Sequence, residues 1–190
     1  MKNEDDLRIR KTKDALKKAL LRLVCSKEPG SISITELTTA AGVHRATFYS
    51  HYHDIYELYD EVEQDALEKV RVALIEPEFS DRAAIYDAVI DVLQSNADTF
   101  MILMRDSSSG SFEEAMVDCF EMSYLKNELT NHRVEAFSEE RRFFLTYHVR
   151  GCIGMVKKWI REGCRYPRER LGAHMNEADR ALHAILEREK

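Results

Sequence analysis

Apolar residues first recur at Leu16, Ala19, Leu20, Leu23 and Val24, the i, i+3, i+4, i+7, i+8 spacing of an amphipathic helix. That spacing predicts a first helix from about Glu4 to Ser26, stopped by Glu28-Pro29-Gly30. Ser33-Ile34-Thr35-Glu36 has the form of a capping box, in which Ser33 caps the amide of Glu36 and Glu36 reaches back. It opens a short second helix, Ile34 to Ala41, closed by Gly42 where a helix end prefers positive φ. A third short helix is expected from His44 to Tyr52. Asp54 caps a fourth, ending near Glu76, in which Ile55, Leu58, Tyr59, Val62, Ala66 and Val70 share a face.

Beyond Pro77 the pattern stays helical. Ser80-Asp81 can cap a fifth helix with Ile85, Val89, Val92 and Leu93 inward, and a short sixth covers Phe100–Met104. A serine-rich connection at 107–111 precedes a seventh helix, Phe112 to His132. The eighth, Ser138 to Gly163, carries apolar residues around most of its circumference, so it must be covered on most sides. After Pro167 a ninth helix places Leu171, Met175, Ala178, Leu182 and Ile185 on one stripe. These readings give an all-α chain: a three-helix amino-terminal helix-turn-helix domain (1–53) and a helical-bundle effector and dimerisation domain (54–190).

Composition agrees. Seven Gly and three Pro in 190 residues leave few breakers for a helical chain. No apolar run approaches the ~18 residues that span a bilayer, and the charged start MKNEDDLRIRK is no signal segment, so a cytoplasmic protein without a membrane partner is expected. Cys25, Cys119, Cys152 and Cys164 form no CxxC pair and read as reduced thiols. Residues 1–53 hold ten Lys/Arg against six Asp/Glu, and residues 54–190 hold 18 against 28, so +4 and −10 make up the net charge of −6. A basic first third suggests an anionic partner; chance asymmetry among solvated helix faces is the other reading.

Chemistry concentrates at His44-Arg-Ala-Thr-Phe-Tyr-Ser-His-Tyr-His53. A metal site is not expected, because His51 and His53 are i, i+2 and do not share a helix face. GxSxG, GxGxxG and Walker-type loops are absent, so neither an enzyme nor a cofactor is expected. If Phe48 and Tyr52, i and i+4, go into a tri-helical core with Leu37, Ala41 and Val43, the outer surface keeps His44, Arg45, Thr47, Tyr49, Ser50 and His51.

Residues 34–62, ITELTTAAGVHRATFYSHYHDIYELYDEV, resemble the DNA-binding domain of the TetR family of bacterial transcriptional regulators, in a match covering about residues 8–62. The segment FFLTYHVRGCIGMVKKWIREGCRYPRERL is similar to the carboxy-terminal domain of a subgroup that includes regulators of dihydroxyacetone kinase operons. The resemblance implies a homodimer with a recognition helix in the major groove of a double-stranded DNA operator, and a small-molecule effector pocket in the body. By position it assigns Arg45 and Thr47 to base edges and Tyr49 and His51 to phosphates, with Thr35 as a further DNA-facing residue. Ser33, His44 and Ser50 complete the candidate DNA contacts. Family members often carry a lysine where this chain has His53-Asp54-Ile55, so a phosphate contact at that corner is not carried over.

Inward-turned faces of the body nominate Val62, Tyr86, Phe100, Met104, Phe120, Tyr124, Tyr147 and His148 as ligand lining, with simple core packing as the alternative. Gly151, Gly154, Met155 and Lys158 on the eighth helix, with Met175, Ala178 and Leu182 on the ninth, are the expected dimer contacts. The expected function is a ligand-responsive repressor binding a palindromic operator. The alternative is a helical dimer whose small-molecule- or protein-binding body is primary, with weak DNA binding.

Overall fold

The computed structural model describes residues 2–75, 82–105, 111–130 and 138–187, apart from some side chains at helix ends. All the regular structure among them is helical: α1 (Lys2–Val24), a 3₁₀ turn at Pro29–Ser31, α2 (Ile34–Ala41), α3 (Arg45–Tyr49), α4 (Ile55–Ile75), α5 (Arg82–Ser95), α6 (Ala97–Leu103), α7 (Ser111–Thr130), α8 (Glu139–Arg161) and α9 (Arg168–Glu187). No helix among the described residues is long and apolar enough to cross a membrane. The expected break at Pro77, the Ser80-Asp81 cap, the serine-rich connection at 107–110, the ends at Glu76 and His132, and the Ile185 side chain lie outside the described residues.

The chain divides into two compact units, Met1–Ala66 and Leu67–Lys190, so the division falls within α4. In the first unit, the periodic residues of α1 reach full burial at Leu16, Ala19 and Leu20, and Leu37, Phe48, Tyr52, Leu58 and Val62 close the same core. Side chains of α4 are held to α1 at Lys13–Glu61 (2.9 Å), Lys17–Glu61 (2.7 Å) and Lys17–Asp65 (2.5 Å), which keeps the first half of α4 with this unit.

In the second unit α9 packs on α5 and α8, α7 packs on α8, and α6 also meets α8. Its core includes Val89, Ile90, Leu93, Phe100, Met116, Ile153, Trp159 and Met175. α8 is capped at Ser138, whose Oγ accepts from Arg141 N (3.2 Å), and it ends at Gly163 in the left-handed region (φ 73°). Within the protomer, α8 is covered on only part of its circumference. Phe143 and Tyr147 are 71% and 80% exposed, and Gly151, Gly154 and Lys158 continue the same outward stripe.

Candidate nucleic-acid interface and body cavity

Local chemistry sets the angle between α2 and α3. Ser33 Oγ accepts from Glu36 N (3.1 Å), satisfying one of the amides that a helix start leaves open. The reciprocal half of the expected capping box is replaced, because Glu36 Oε1 accepts from Lys27 Nζ at 2.5 Å instead. Gly42 takes φ 68°, which a side chain would resist, and Val43 N donates back to Thr38 O (3.0 Å). That closure turns the chain into α3, where His44 O accepts from Thr47 N (2.9 Å) and Phe48 N (3.2 Å).

α3 is five residues long, shorter than the expected His44–Tyr52. Past Tyr49 the chain unwinds through Ser50 and His51, although Tyr52 N still donates to Phe48 O (3.0 Å). Phe48 is fully buried and Tyr52 nearly so, their ring centroids 5.6 Å apart. Anchoring that face turns the opposite one outward. Ser33, Thr35, His44, Arg45, Tyr49 and Ser50 are exposed, while Thr47 and His51 are half-buried. Arg45 Nη2 donates to the Tyr49 hydroxyl (3.2 Å) and its guanidinium lies 5.5 Å from the Tyr49 ring centroid. The arginine is thus held within the proposed surface.

Two observations on the surroundings were not anticipated. First, the basic balance belongs to residues 1–53 and not to the compact unit. Residues 54–66 add six acidic and no basic residues, so the unit carries ten Lys/Arg against twelve Asp/Glu. Second, Arg8 and Lys11 of α1 line a shallow groove with Gly42 and Val43 of the turn. The basic residues between Arg8 and Lys11 were a signal for this, obscured by counting charge over a whole third.

Glu61 sits between the two lysines of α1. Burial pushes its carboxyl up, but hydrogen bonds from Lys17 and Lys13 outweigh that and bring it down to about 2. The enclosed Tyr52 hydroxyl adjoins this carboxylate outside good hydrogen-bond geometry, so the lysines count as its partners; burial first, then Glu61, raises the tyrosine pKa. A folded pKa below the unfolded one gives stability that is complete above about pH 4.5 and lost as pH falls toward 2. With the side chain 30% exposed, solvent screening reduces the contribution to about 1–2 kcal/mol. Glu61→Gln should lower the free energy of urea unfolding by that amount at pH 7. The gap from wild type should close between pH 4.5 and 2.

The second unit holds a partly open cavity of about 70 Å³. Of the eight expected lining residues, Tyr86, Phe120, Tyr124 and His148 line it. The other four are corrections. Tyr147 points to solvent; Phe100 and Met104 are buried outside the cavity wall; Val62 belongs to the first unit's core. Sequence reasoning missed Leu74, Ile85, Ser123, Val149, Cys152 and Asp179. Tyr86 Oη lies 3.0 Å from His148 Nε2, Cys152 Sγ 3.7 Å from it, and Asp179 Oδ1 3.6 Å from it. Burial, with the Asp179 carboxylate second, pushes the Cys152 thiol up to about 12, which keeps it protonated.

A wider groove runs along α8 and α9, lined by Phe143, Phe144, Tyr147, Ala178, Ala181 and Leu182 among others. Of the expected dimer contacts, Gly151, Gly154, Lys158 and Ala178 are exposed, and Met155 is half-buried. Met175, 1% exposed, is corrected: it fills its own protomer's core. Leu182 is also buried, at the edge of the groove.

A glycine-turned pair of short helices with an exposed Arg-Tyr face, joined to a separate helical unit, defines a helix-turn-helix regulator. Residues 83–178 match the TetR-type family model described as "Transcriptional regulator C-terminal region". The chain belongs to the TetR family of transcriptional regulators. It is 27% identical over 170 residues to an uncharacterized HTH-type transcriptional regulator, YxbF, of Bacillus subtilis (strain 168), covering 86% of this chain and 43% of that relative. The chain therefore spans less than half the length of this curated relative. A tetR-family regulator from Streptomyces coelicolor has a similar fold (TM-score 0.70, 20% identity, 93% of this chain and 82% of that one). So does the dihydroxyacetone kinase operon activator DhaS (TM-score 0.63, 18% identity, 93% and 96%).

Proposed function

We propose that this chain is a ligand-responsive repressor that binds a palindromic operator as a homodimer in the cytoplasm. The observation that carries the reading is the Arg45–Tyr49 pair, exposed on a helix whose opposite face is anchored by Phe48 and Tyr52. Residues 1–53, with the first half of α4 packed on them, act as the DNA-binding domain, and the rest of the chain as the effector and dimerisation domain. Arg45 leaves Tyr49 to pair with guanine O6 and N7, and Thr47 offers a methyl to thymine. Tyr49, His51, Ser33, Thr35, His44 and Ser50 set the register through phosphates, with Arg8 and Lys11 adding charge. Two copies present two such helices, which requires a near-palindromic site.

Arg45→Ala should weaken operator binding by about 1–3 kcal/mol and relax preference at one base pair per half-site. Tyr49→Phe should weaken every sequence more evenly. Fluorescence anisotropy on operator and singly substituted duplexes reads both. Unchanged affinity and selectivity in Arg45→Ala would remove the base-reading assignment. Repression itself is tested with a promoter reporter, where loss of the gene should raise expression; a fall would instead make this chain an activator, as DhaS is described.

In this reading an effector in the body shifts DNA affinity some 5–150-fold, and DNA weakens the effector by the same factor. α4 supports the coupling, since one helix carries Leu58 and Val62 in the first core and Val70 and Leu74 in the second. The reading in which the body is primary draws on the compact unit's acidic balance. A weak, sequence-blind response to DNA across salt concentrations would favour it.

A further inference from the structure

The cavity of the second unit has an apolar wall of Leu74, Ile85, Phe120 and Val149. Polar groups also reach it, and their partners decide what it can take. The Tyr86 hydroxyl lies 3.0 Å from His148 Nε2. The same nitrogen is 3.6 Å from Asp179 Oδ1, within ion-pair range, and 3.7 Å from the Cys152 thiol. Ser123 Oγ donates to Leu74 O at 3.4 Å. Tyr86, Tyr124, His148 and Asp179 hold further interactions within the chain. The polar side of the wall is thus turned on itself, with His148 at its centre and Asp179 only 1% exposed.

An occupant that brought a charge or a hydroxyl would have to break one of these pairings or go without a partner. A buried hydroxyl without a partner weakens binding roughly 5–150-fold, and an unpaired charge does so far more. Among the described residues no lysine or arginine lines the space to offset an anion, and the Asp179 carboxylate already has His148 in ion-pair range. An apolar molecule breaks no such pairing and gains contact with the aliphatic and ring surfaces around it. Size narrows the class further. At 10–15 Å³ per water, about 70 Å³ holds roughly five to seven waters, which take roughly 150–200 Å³ of liquid. An apolar cavity of roughly 150 Å³ stays dry and accepts benzene, so the scale is one ring with a short arm.

Resting on the reading that the body binds a small effector, we propose that its occupant is a compact, uncharged alkylbenzene-like molecule held by Leu74, Ile85, Phe120 and Val149. The Tyr86–His148–Asp179 cluster shapes the wall and turns away ligands of either charge.

The test uses the full chain and four probes of similar size: toluene, benzyl alcohol, benzylamine and benzoate. Calorimetry and thermal unfolding should place toluene at least about fivefold tighter than the alcohol, and at least about a hundredfold tighter than the amine and the acid alike. Tyr86→Phe removes the hydroxyl and keeps the ring, so toluene affinity should be unchanged. Ile85→Trp, at a half-buried wall position, fills the space and should abolish toluene binding. The apolar site is overturned if toluene does not bind wild type, if a charged probe binds as tightly, or if Ile85→Trp binds toluene undiminished. A loss of about tenfold or more in Tyr86→Phe also overturns it, since the hydroxyl would then be a ligand contact. If toluene binds as expected but leaves operator affinity unchanged, the apolar site stands and the effector reading falls. If benzylamine or benzoate binds more tightly than toluene and shifts operator affinity, the effector reading stands and the apolar class falls.

Discussion

Phe48→Ala should destabilise the first unit by about 3–5 kcal/mol, the range for emptying a large aromatic from a core that relaxes only partly. Phe48 is fully buried, meets Tyr49 edge-on and Tyr52 at a tilt, and is the one buried side chain of the five-residue α3. An isolated helix that short has no stability of its own, so its position depends on this anchor. Operator affinity should therefore fall much further than with Arg45→Ala, although Phe48 faces away from the proposed DNA surface. Hydrogen exchange should locate the damage. Amides of α2 and α3 should lose protection, while those of α8 and α9, with a separate core around Ile153, Trp159 and Met175, keep theirs. Retained protection in α3 would mean that the turn and caps hold it without the ring. A Phe48→Leu variant, which keeps most of the volume, should recover much of the loss.

The helices were legible because their signals are local. Gly42 appears where a left-handed residue was needed, and Asp54 Oδ1 accepts from Glu57 N (2.9 Å) at the expected start of α4. The Phe48–Tyr52 pair followed from i, i+4 spacing alone. What escaped depends on distant partners. Glu36 could reach its own helix start or a lysine nine positions earlier, and an exposed ion pair with Lys27 took it. α8 is apolar on most sides, so periodicity could not say which side meets the core. Tyr147 and His148 were nominated together, and the structure separates them, one in solvent and one in the wall of the cavity.

Asp179 had a signal that went unread. It stands four residues after Met175 and three before Leu182, a charge within an apolar stripe. Assigning the stripe to Ala178 rotated α9 by one position. In the structure Ala178 is exposed and Asp179 is buried. The acidic count of residues 54–66 was equally available, but only the boundary inside α4 shows that it belongs with the helix-turn-helix.

Gly154→Leu should leave the protomer folded and reduce operator affinity by about 10²–10⁴-fold, the gain that linking two binding sites can supply and that is lost when only one can engage. A Cβ built at Gly154 or at Gly151 meets nothing within 4 Å inside the protomer, so the larger side chain displaces no intrachain contact. Leucine is also a better helix former than glycine by about 1 kcal/mol, so thermal unfolding of the isolated variant should not suffer. The proposed dimer would. Phe143, Tyr147, Gly151, Gly154 and Lys158 run along one exposed face of α8 at three- and four-residue steps, and Ala178 and Ala181 are exposed on α9. Small residues amid large exposed aromatics suit a helix of a second copy crossing closely at the glycines and receiving Phe143 and Tyr147 at its flanks. A leucine at the crossing holds those backbones apart. Sedimentation at micromolar concentration should show wild type as a dimer and Gly154→Leu as a monomer, with Gly154→Ala between them. A monomeric wild type, or a Gly154→Leu protein that stays dimeric with full operator affinity, would move the interface off this face of α8.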